Sequence, residues 1–411
     1  MSQRALFFLA SFVIVAIGGY FVIQYAKGYR FDTNKWQFNP TGILVATSTP
    51  DAAQVFINGI LKTATNQSIN LTPGTYDVEI LKDGFFPWKK RLTITASVVT
   101  TTNAFLFTRA ASLSPLTFGG ATHPILSPDG TKLAWVVPAR PAGGPQNPET
   151  PDKTGVWVLE LGNLPFGFAR EARQASDVEV GKENLLSWSP DSRSIILERA
   201  NGIFLVDPGS FTPQAQLVNI KGKRLAQLQN SWSEYKEKKR TSLISKLPQE
   251  VADIVIRKTE SFVFSPDETK VLYTASGSAT IPDNLTPPLP GVSTQRQERD
   301  IKPAHTYVYD IKEDKNFLVS DQEVAISYEL LANSSQRSTL RWLPTSRHLV
   351  LTEENNISIL EYDGTNRVSV WLGPYEEPSV FPAPSSDQLI VLTNFGATNN
   401  ELPNLYTIKL R

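Results

Sequence analysis

One turn, flanked on both sides by apolar runs, is written five times along this chain, and it restricts the fold more than any other feature. The copies are "ILSPDGTKLAWVV", "LSWSPDSRSIILE", "FVFSPDETKVLYT", "LRWLPTSRHLVLT" and "VFPAPSSDQLIVLT". Each sets an apolar residue five positions after a proline: Pro128 and Leu133, Pro190 and Ile195, Pro266 and Val271, Pro344 and Leu349, Pro384 and Leu389. In four copies another apolar residue lies two before the proline, at Leu126, Trp188, Phe264 and Trp342, whereas the fifth has Pro382. Ser127-Pro128-Asp129-Gly130 suits a type I turn, with Ser first, Pro second and Gly fourth.

A strand follows each turn, and a second apolar segment follows each strand: "GVWVLEL" (155–161), "GIFLVDP" (202–208), "TYVYDIK" (306–312), "NISILEYDG" (356–364) and "NLYTIKL" (404–410). A lone sheet of this kind leaves both faces wet. Radial stacking of copies covers every face, so the repeat predicts a β-propeller of about five blades. A sixth blade drawing on residues 104–120 is the alternative count. The prolines are 62, 76, 78 and 40 residues apart, against about 40–45 for a plain blade, so three blades carry insertions. Residues 138–152 hold five prolines, as do residues 276–305, and neither stretch can be a central strand. The third insertion, about 228–257, predicts a helical hairpin laid over the propeller. Ser231 and Glu234 have capping-box spacing, Trp232, Tyr235, Leu243 and Leu247 fall near helical spacing, and Pro248 can open a second helix.

The N-terminus carries a different signal. Ala5 to Ala26 is 22 residues without a charge, enough for a helix rising about 1.5 Å per residue to cross a bilayer core of roughly 30 Å. A cleaved signal peptide has a shorter apolar region, about 7–15 residues, so an uncleaved signal anchor is expected after a short tail at 1–4. Arg4 precedes the span and Lys27, Arg30 and Lys35 follow it. That count alone favours a cytoplasmic bulk, although long domains cross largely regardless of such charges. Residues 27–40 read as a polar linker.

Residues 41–109 read as a small antiparallel β-sandwich. Asn58-Gly59 is a strong hairpin turn because both positions tolerate positive φ. Pro73-Gly74 and Asp83-Gly84 mark two more turns, and between them Tyr76, Val78 and Ile80 face one side while Asp77 and Glu79 face the other. Phe85 is expected in the core, with Phe86 and Trp88 partly covering a sheet edge. "STPDAAQVFING", the Leu-Thr-Pro-Gly-Thr-Tyr turn and the Lys-Asp-Gly-Phe turn together resemble a PEGA domain. The name-giving Pro-Glu-Gly-Ala stands here as Pro50-Asp51-Ala52-Ala53, and a typical Gly-Tyr as Gly84-Phe85. PEGA domains occur beside membrane spans in bacterial and archaeal envelope proteins, which implies an extracytoplasmic bulk. The Ser-Pro-Asp turns of residues 110–411 resemble the TolB-like and WD-type propeller repeats, which implies an envelope protein with an all-β body.

Chemistry is sparse. Cysteine is absent, which removes disulfides, thiolate metal sites and a thiol nucleophile. Forty basic residues balance forty acidic ones, so no nucleic-acid partner is expected. His123, His305 and His348 lie in different blades without metal-ligand spacing, and His348 reads as a solvent-facing turn residue. No nucleophile elbow, phosphate loop or dinucleotide fingerprint occurs. Asp129, Asp191 and Asp267 read as caps of their own turns rather than a carboxylate ring for a cation. Lys236, Lys238, Lys239 and Arg240 read as a solvated helix face, and "TQRQERDIK", with Arg296, Arg299 and Lys302, as a candidate contact loop.

The expectation is therefore a membrane-anchored, non-enzymatic cell-envelope protein presenting a propeller at the cell surface to a protein or glycan partner. No catalytic residue, cofactor or metal ligand is assigned, and no binding residue can be named. The alternatives are a propeller hydrolase or lyase acting on an envelope polymer, and a membrane-tethered sensor facing the cytoplasm.

Overall fold

A computed structural model describes residues 3–26, 28–32, 36–139, 154–162, 171–181, 185–326, 338–396 and 402–411. The proline-rich insertion at 138–152 lies almost wholly outside them. Two compact units divide the chain. One comprises Met1–Phe107 with Pro287–Arg296, and the other Thr108–Thr286 with Gln297–Arg411.

The smaller unit begins with α1 (Gln3–Ala26), whose stretch Phe7–Tyr25 is 19 residues of mean hydropathy 2.1 with no residue buried. The stretch expected to be a linker is a hairpin of two strands, β1 (Tyr29–Asp32) and β2 (Gln37–Pro40), with Phe31 opposite Phe38. A sandwich of seven strands follows. Strands β3 (Gly42–Thr49), β4 (Gln54–Ile57), β5 (Ile60–Ala64), β6 (Gln67–Leu71), β7 (Gly74–Leu81), β8 (Trp88–Ile94) and β9 (Val99–Phe105) form two sheets, ordered β6-β3-β9 and β5-β4-β7-β8. All pairings are antiparallel except β3 with β9, which is parallel.

Period-two alternation builds its core. Val55, Ile57, Val78, Ile80, Leu92 and Ile94 point inward with Leu44 and Ala46. On the outer face Arg91 grips Asp77 at 2.7 and 2.9 Å, directly across from it, and Lys89 meets Glu79 at 2.7 Å. Trp88 is a core residue rather than an edge cover, with Phe85 packed against the same cluster. Asn58 and Gly59 have φ of 50° and 76°, as their turn requires. Thr294, from the distant 287–296 segment of this unit, accepts through Oγ1 from the Thr93 amide at 3.2 Å, and Gln295 Nε2 donates to the Arg91 carbonyl at 2.8 Å.

The larger unit is a β-propeller of five blade sheets, with a further two-stranded sheet pairing Ala279–Thr280 with Asp300–Ile301 inside an insertion. The first blade orders Thr122–Leu126, Lys132–Val137, Gly155–Glu160 and Arg173–Ser176. The second has three strands, Leu185–Trp188, Ile195–Arg199 and Gly202–Val206, and Asn219 makes one further bridge to Phe204. Thr259–Phe264, Lys270–Ala275, Thr306–Asp310 and Lys315–Ser320 form the third, and Thr339–Trp342, His348–Glu353, Asn356–Glu361 and Val368–Leu372 the fourth. The fifth joins Val380–Pro382, Gln388–Thr393 and Asn404–Lys409 to Ser112–Pro115. The strand near residue 110 thus completes the last blade instead of starting a sixth, and it ties the two ends of the unit together.

Blade strands are apolar at consecutive positions because both faces are covered. Leu133 and Trp135 pack toward Phe381, Ile390 and Leu405 of the fifth blade. Ala134 and Val136, the alternate residues, pack toward Leu186, Ile195 and Leu197 of the second. Leu272, Val308 and Phe317 of the third blade meet Leu340, Leu349 and Leu360 of the fourth. Burying one such Leu or Ile side chain contributes about 1.5–3 kcal/mol, which explains why single sheets need neighbours.

The other face of the third blade is covered by a helix. The insertion forms α2 (Lys223–Ile244) and α3 (Gln249–Arg257). Val251 and Val255 of α3 enter one cluster with Val271, Tyr273, Tyr307 and Tyr309. A helix laid over the propeller was expected, but α3 is wedged against a sheet face. Nor does Ser231 cap anything. The helix already runs from Lys223, through residues of good helix propensity such as Leu225, Ala226 and Gln227, and the Ser231 hydroxyl donates to the Leu228 carbonyl at 2.8 Å. No residue of α2 is buried.

Candidate functional site

The recurring turn is the natural place to look for chemistry, since it brings a carboxylate to the same place in three of the five blades, as Asp129, Asp191 and Asp267. Its geometry uses that carboxylate locally. Ser127 Oγ donates to Asp129 at 2.5 Å, and the same oxygen accepts from Thr131 N at 3.0 Å and Thr131 Oγ1 at 2.8 Å. Asp191 accepts from Ser189 Oγ at 2.6 Å and Arg193 N at 3.2 Å. Asp267 accepts from Ser265 Oγ at 2.7 Å, Thr269 N at 3.2 Å and Thr269 Oγ1 at 2.9 Å. Burial works to raise the Asp129 and Asp267 carboxyls, but these donors outweigh it and hold both below the ordinary range. The bond from Ser189 does the same for Asp191. Among the described residues no three acidic or histidine side chains gather as a metal site.

The position two after each proline is left-handed in every copy: Gly130, Ser192, Glu268, Ser346 and Ser386 have φ of 70°, 60°, 58°, 58° and 60°. Two of the serines also join neighbouring turns. Ser192 Oγ accepts from the Asp129 amide at 3.1 Å, and Ser346 Oγ accepts from the Asp267 amide at 3.0 Å.

The other residues singled out in the sequence are dispersed. His123 is exposed in a strand irregularity. The ring of His305 stacks on Tyr307, with Nδ1 2.9 Å from the Pro303 carbonyl. His348, expected to face solvent, is 3% exposed. It opens a central strand beside the turn, and its Nδ1 lies 3.1 Å from Thr345 Oγ1. Lys236, Lys238, Lys239 and Arg240 line exposed parts of α2, where Arg240 meets Glu237 at 3.7 Å and covers the Phe262 ring at 5.4 Å.

Arg299 is no contact residue. Its side chain is 13% exposed, pairs with Asp283 at 2.8 Å and Asp314 at 3.2 Å, and donates to the Pro282 and Asp314 carbonyls. Tyr309 donates to Asp314 at 2.8 Å, and Tyr273 donates to Asn316 Oδ1 at 2.9 Å. This network bolts the two flanks of the insertion, at Pro282–Asp283 and Arg299, to the third blade. Lys302 reaches Glu298 at 3.4 Å.

Sequence reasoning passed over two titratable residues, Arg341 and Tyr375. Arg341 lies on the first strand of the fourth blade, donates through Nη1 to the Val380 carbonyl at 2.7 Å and lies over the Phe381 ring at 5.8 Å. Burial lowers its guanidinium to about 9. Tyr375, whose hydroxyl donates to the Glu353 carbonyl at 2.8 Å, is raised chiefly by burial. The sequence signal was a charge in "TLRW", at a strand position flanked by Leu340 and Trp342.

A family model for the PEGA domain matches residues 41–107. A search of curated proteins returned no match. Among solved structures, TolB from Acinetobacter baumannii aligns over 81% of this chain and 59% of its own, at 12% identity and a TM-score of 0.21. The chain therefore spans about three fifths of that neighbour's length. A TolB described as putative, from Agrobacterium tumefaciens, aligns over 70% and 78% at 14% identity and TM-score 0.23. The β-propeller domain of Cps50 (Swd1) from Myceliophteria thermophila aligns over 74% and 100% at 12% identity and TM-score 0.28.

Proposed function

We propose that this chain, in which a PEGA domain at residues 41–107 stands between an apolar helix and a five-bladed propeller, is a membrane-anchored, non-enzymatic envelope protein. The helix tethers it by a single span, the bulk lies outside the cytoplasm, and the propeller offers its loops to a protein or glycan partner. One observation carries the reading. The only carboxylates that the repeat brings to equivalent places, Asp129, Asp191 and Asp267, are each spent on their own turns, as expected of a scaffold that repeats for stability. Recognition on such scaffolds belongs to the loops. The uncharged length of α1 and the placement of a PEGA domain directly after it support the envelope location.

A polymer hydrolase or lyase is the second reading. The lowered guanidinium of Arg341 near Tyr375 favours it, because strongly perturbed groups concentrate at reaction centres. Full-length protein in lipid nanodiscs, incubated with an envelope fraction, separates the two. Saturable retention of one protein or glycan, recovered at unchanged length, supports the scaffold. Shortened glycan products that vanish with Arg341→Met would replace it with the enzyme.

A further inference from the structure

Residues 27–40 were expected to be a polar linker, yet the β1–β2 hairpin gathers an aromatic cluster against α1. Phe31, Trp36 and Phe38 come together because the pairing sets Phe31 opposite Phe38. Their rings then join two rings of α1. Phe38 lies 5.7 Å from Tyr20 and 5.0 Å from Phe21. Phe31 lies 5.6 Å from Phe21 and 5.3 Å from Phe38, and Trp36 lies 5.9 Å from Phe31. Trp36 is 83% exposed and Tyr20 54%, so the cluster is built but left uncovered.

Depth follows from contact. Tyr20 lies five residues before the end of the apolar stretch Phe7–Tyr25, or about 7.5 Å inward at 1.5 Å per residue. Rings touching Tyr20 and Phe21 cannot then stand in bulk water if that stretch crosses a bilayer. They sit where Trp and Tyr concentrate, at the boundary between headgroups and acyl chains. The polar edge matches. Arg30 lies 3.8 Å over the Tyr25 ring, and its Nη1 is 3.4 Å from both the Tyr25 and Tyr29 carbonyls. A cation is thus held at the helix C-terminus, at the level of lipid phosphates.

We propose that the hairpin is a lipid-contacting wedge, lying in the interfacial layer of the membrane that α1 enters and seating Trp36 among the headgroups. The proposal rests on α1 being a span. Its partner is the lipid boundary, by continuity with the exposed apolar surface of α1 and by the charge of Arg30.

The absence of native cysteine makes site-specific labelling simple. Full-length Trp36→Cys, Val13→Cys and Lys221→Cys would be spin-labelled in vesicles of phosphatidylethanolamine and phosphatidylglycerol. Collision with oxygen, which partitions into lipid, is then compared with collision with a water-soluble nickel chelate. The wedge predicts nickel protection and oxygen access at Trp36→Cys, intermediate between Val13→Cys in the acyl core and Lys221→Cys in water. Nickel access at Trp36→Cys equal to that at Lys221→Cys, with Val13→Cys still in lipid, overturns the wedge and leaves the span standing. Nickel access at Val13→Cys overturns both. Protection from both reagents with spin–spin broadening means a second copy covers the patch, and that also overturns the proposal. In the unlabelled protein, lipids brominated near the carbonyls should quench a component of the tryptophan emission that Trp36→Phe removes. Equal quenching in the two proteins contradicts the wedge.

Discussion

The indole Nε1 of Trp188 donates to the Ile125 carbonyl at 3.2 Å, across the boundary between the first and second blades. Trp342 repeats this with Val263 at 3.3 Å, between the third and fourth. The same two boundaries hold the Ser192–Asp129 and Ser346–Asp267 bonds, so one set of fastenings joins the first blade to the second and the third to the fourth. Trp188→Phe keeps an aromatic side chain but loses the indole N–H that the Ile125 carbonyl accepts from, a loss of about 1–3 kcal/mol. We expect chemical denaturation to register that loss for Trp188→Phe and for Trp342→Phe, and the double variant to show nearly their sum because the sites share no partner.

Ser192 combines a bond with an unfavourable backbone. Ser192→Ala loses the hydroxyl and stays at φ 60°, so it should cost about 1 kcal/mol. Ser192→Gly loses the same bond but recovers roughly the same amount by relieving the left-handed strain. The midpoint for Gly should lie near wild type and that for Ala below it.

Ala52 presents the same strain with no bond to offset it. It sits at φ 54° at the position of the PEGA glycine. Ala52→Gly should stabilise the smaller unit by about 1 kcal/mol, read by amide exchange of the Val55 and Ile80 core strands. An unchanged or faster exchange would contradict the assignment.

The turn carboxylates predict an acid limb. Their folded pKa values are lowered, so their contribution is complete above the unfolded value near 4 and is lost as pH falls through the lower folded value. Replacing Asp129, Asp191 and Asp267 with Asn should lower stability at neutral pH and flatten its decline below pH of about 4. Urea midpoints across that range measure both.

Arg299 is where loop and blade depend on one side chain. Arg299→Ala leaves Asp314, 7% exposed, without its cation and should cost about 3–5 kcal/mol. Arg299→Lys should recover only part, since one ammonium cannot reach two carboxylates and two carbonyls in fork geometry.

Much of the fold was readable because turns and alternation are local. Pro128 through Pro384 mark five blades, and Asn58-Gly59 marks its hairpin without help from distant residues. What stayed hidden depends on contacts across sequence. Ser112–Pro115 finds its partner nearly three hundred residues away, at Lys409, and His348 is buried by a neighbouring strand it cannot announce. Ser231 looked like a cap because local spacing cannot tell where a helix of strong formers begins. Arg299 looked like a contact residue because charge in a loop reads as exposure. Phe31, Trp36 and Phe38 were passed over because charges surround them in sequence, and only the hairpin gathers the rings.

The central claim is that α1 carries the propeller across the membrane. A single Lys221→Cys in the full-length protein, treated in intact cells with a membrane-impermeant maleimide, tests it directly because no other thiol exists in the chain. Labelling before lysis, equal to that after lysis, is the predicted result. Labelling that appears only once the cells are opened would place the propeller in the cytoplasm and contradict the account.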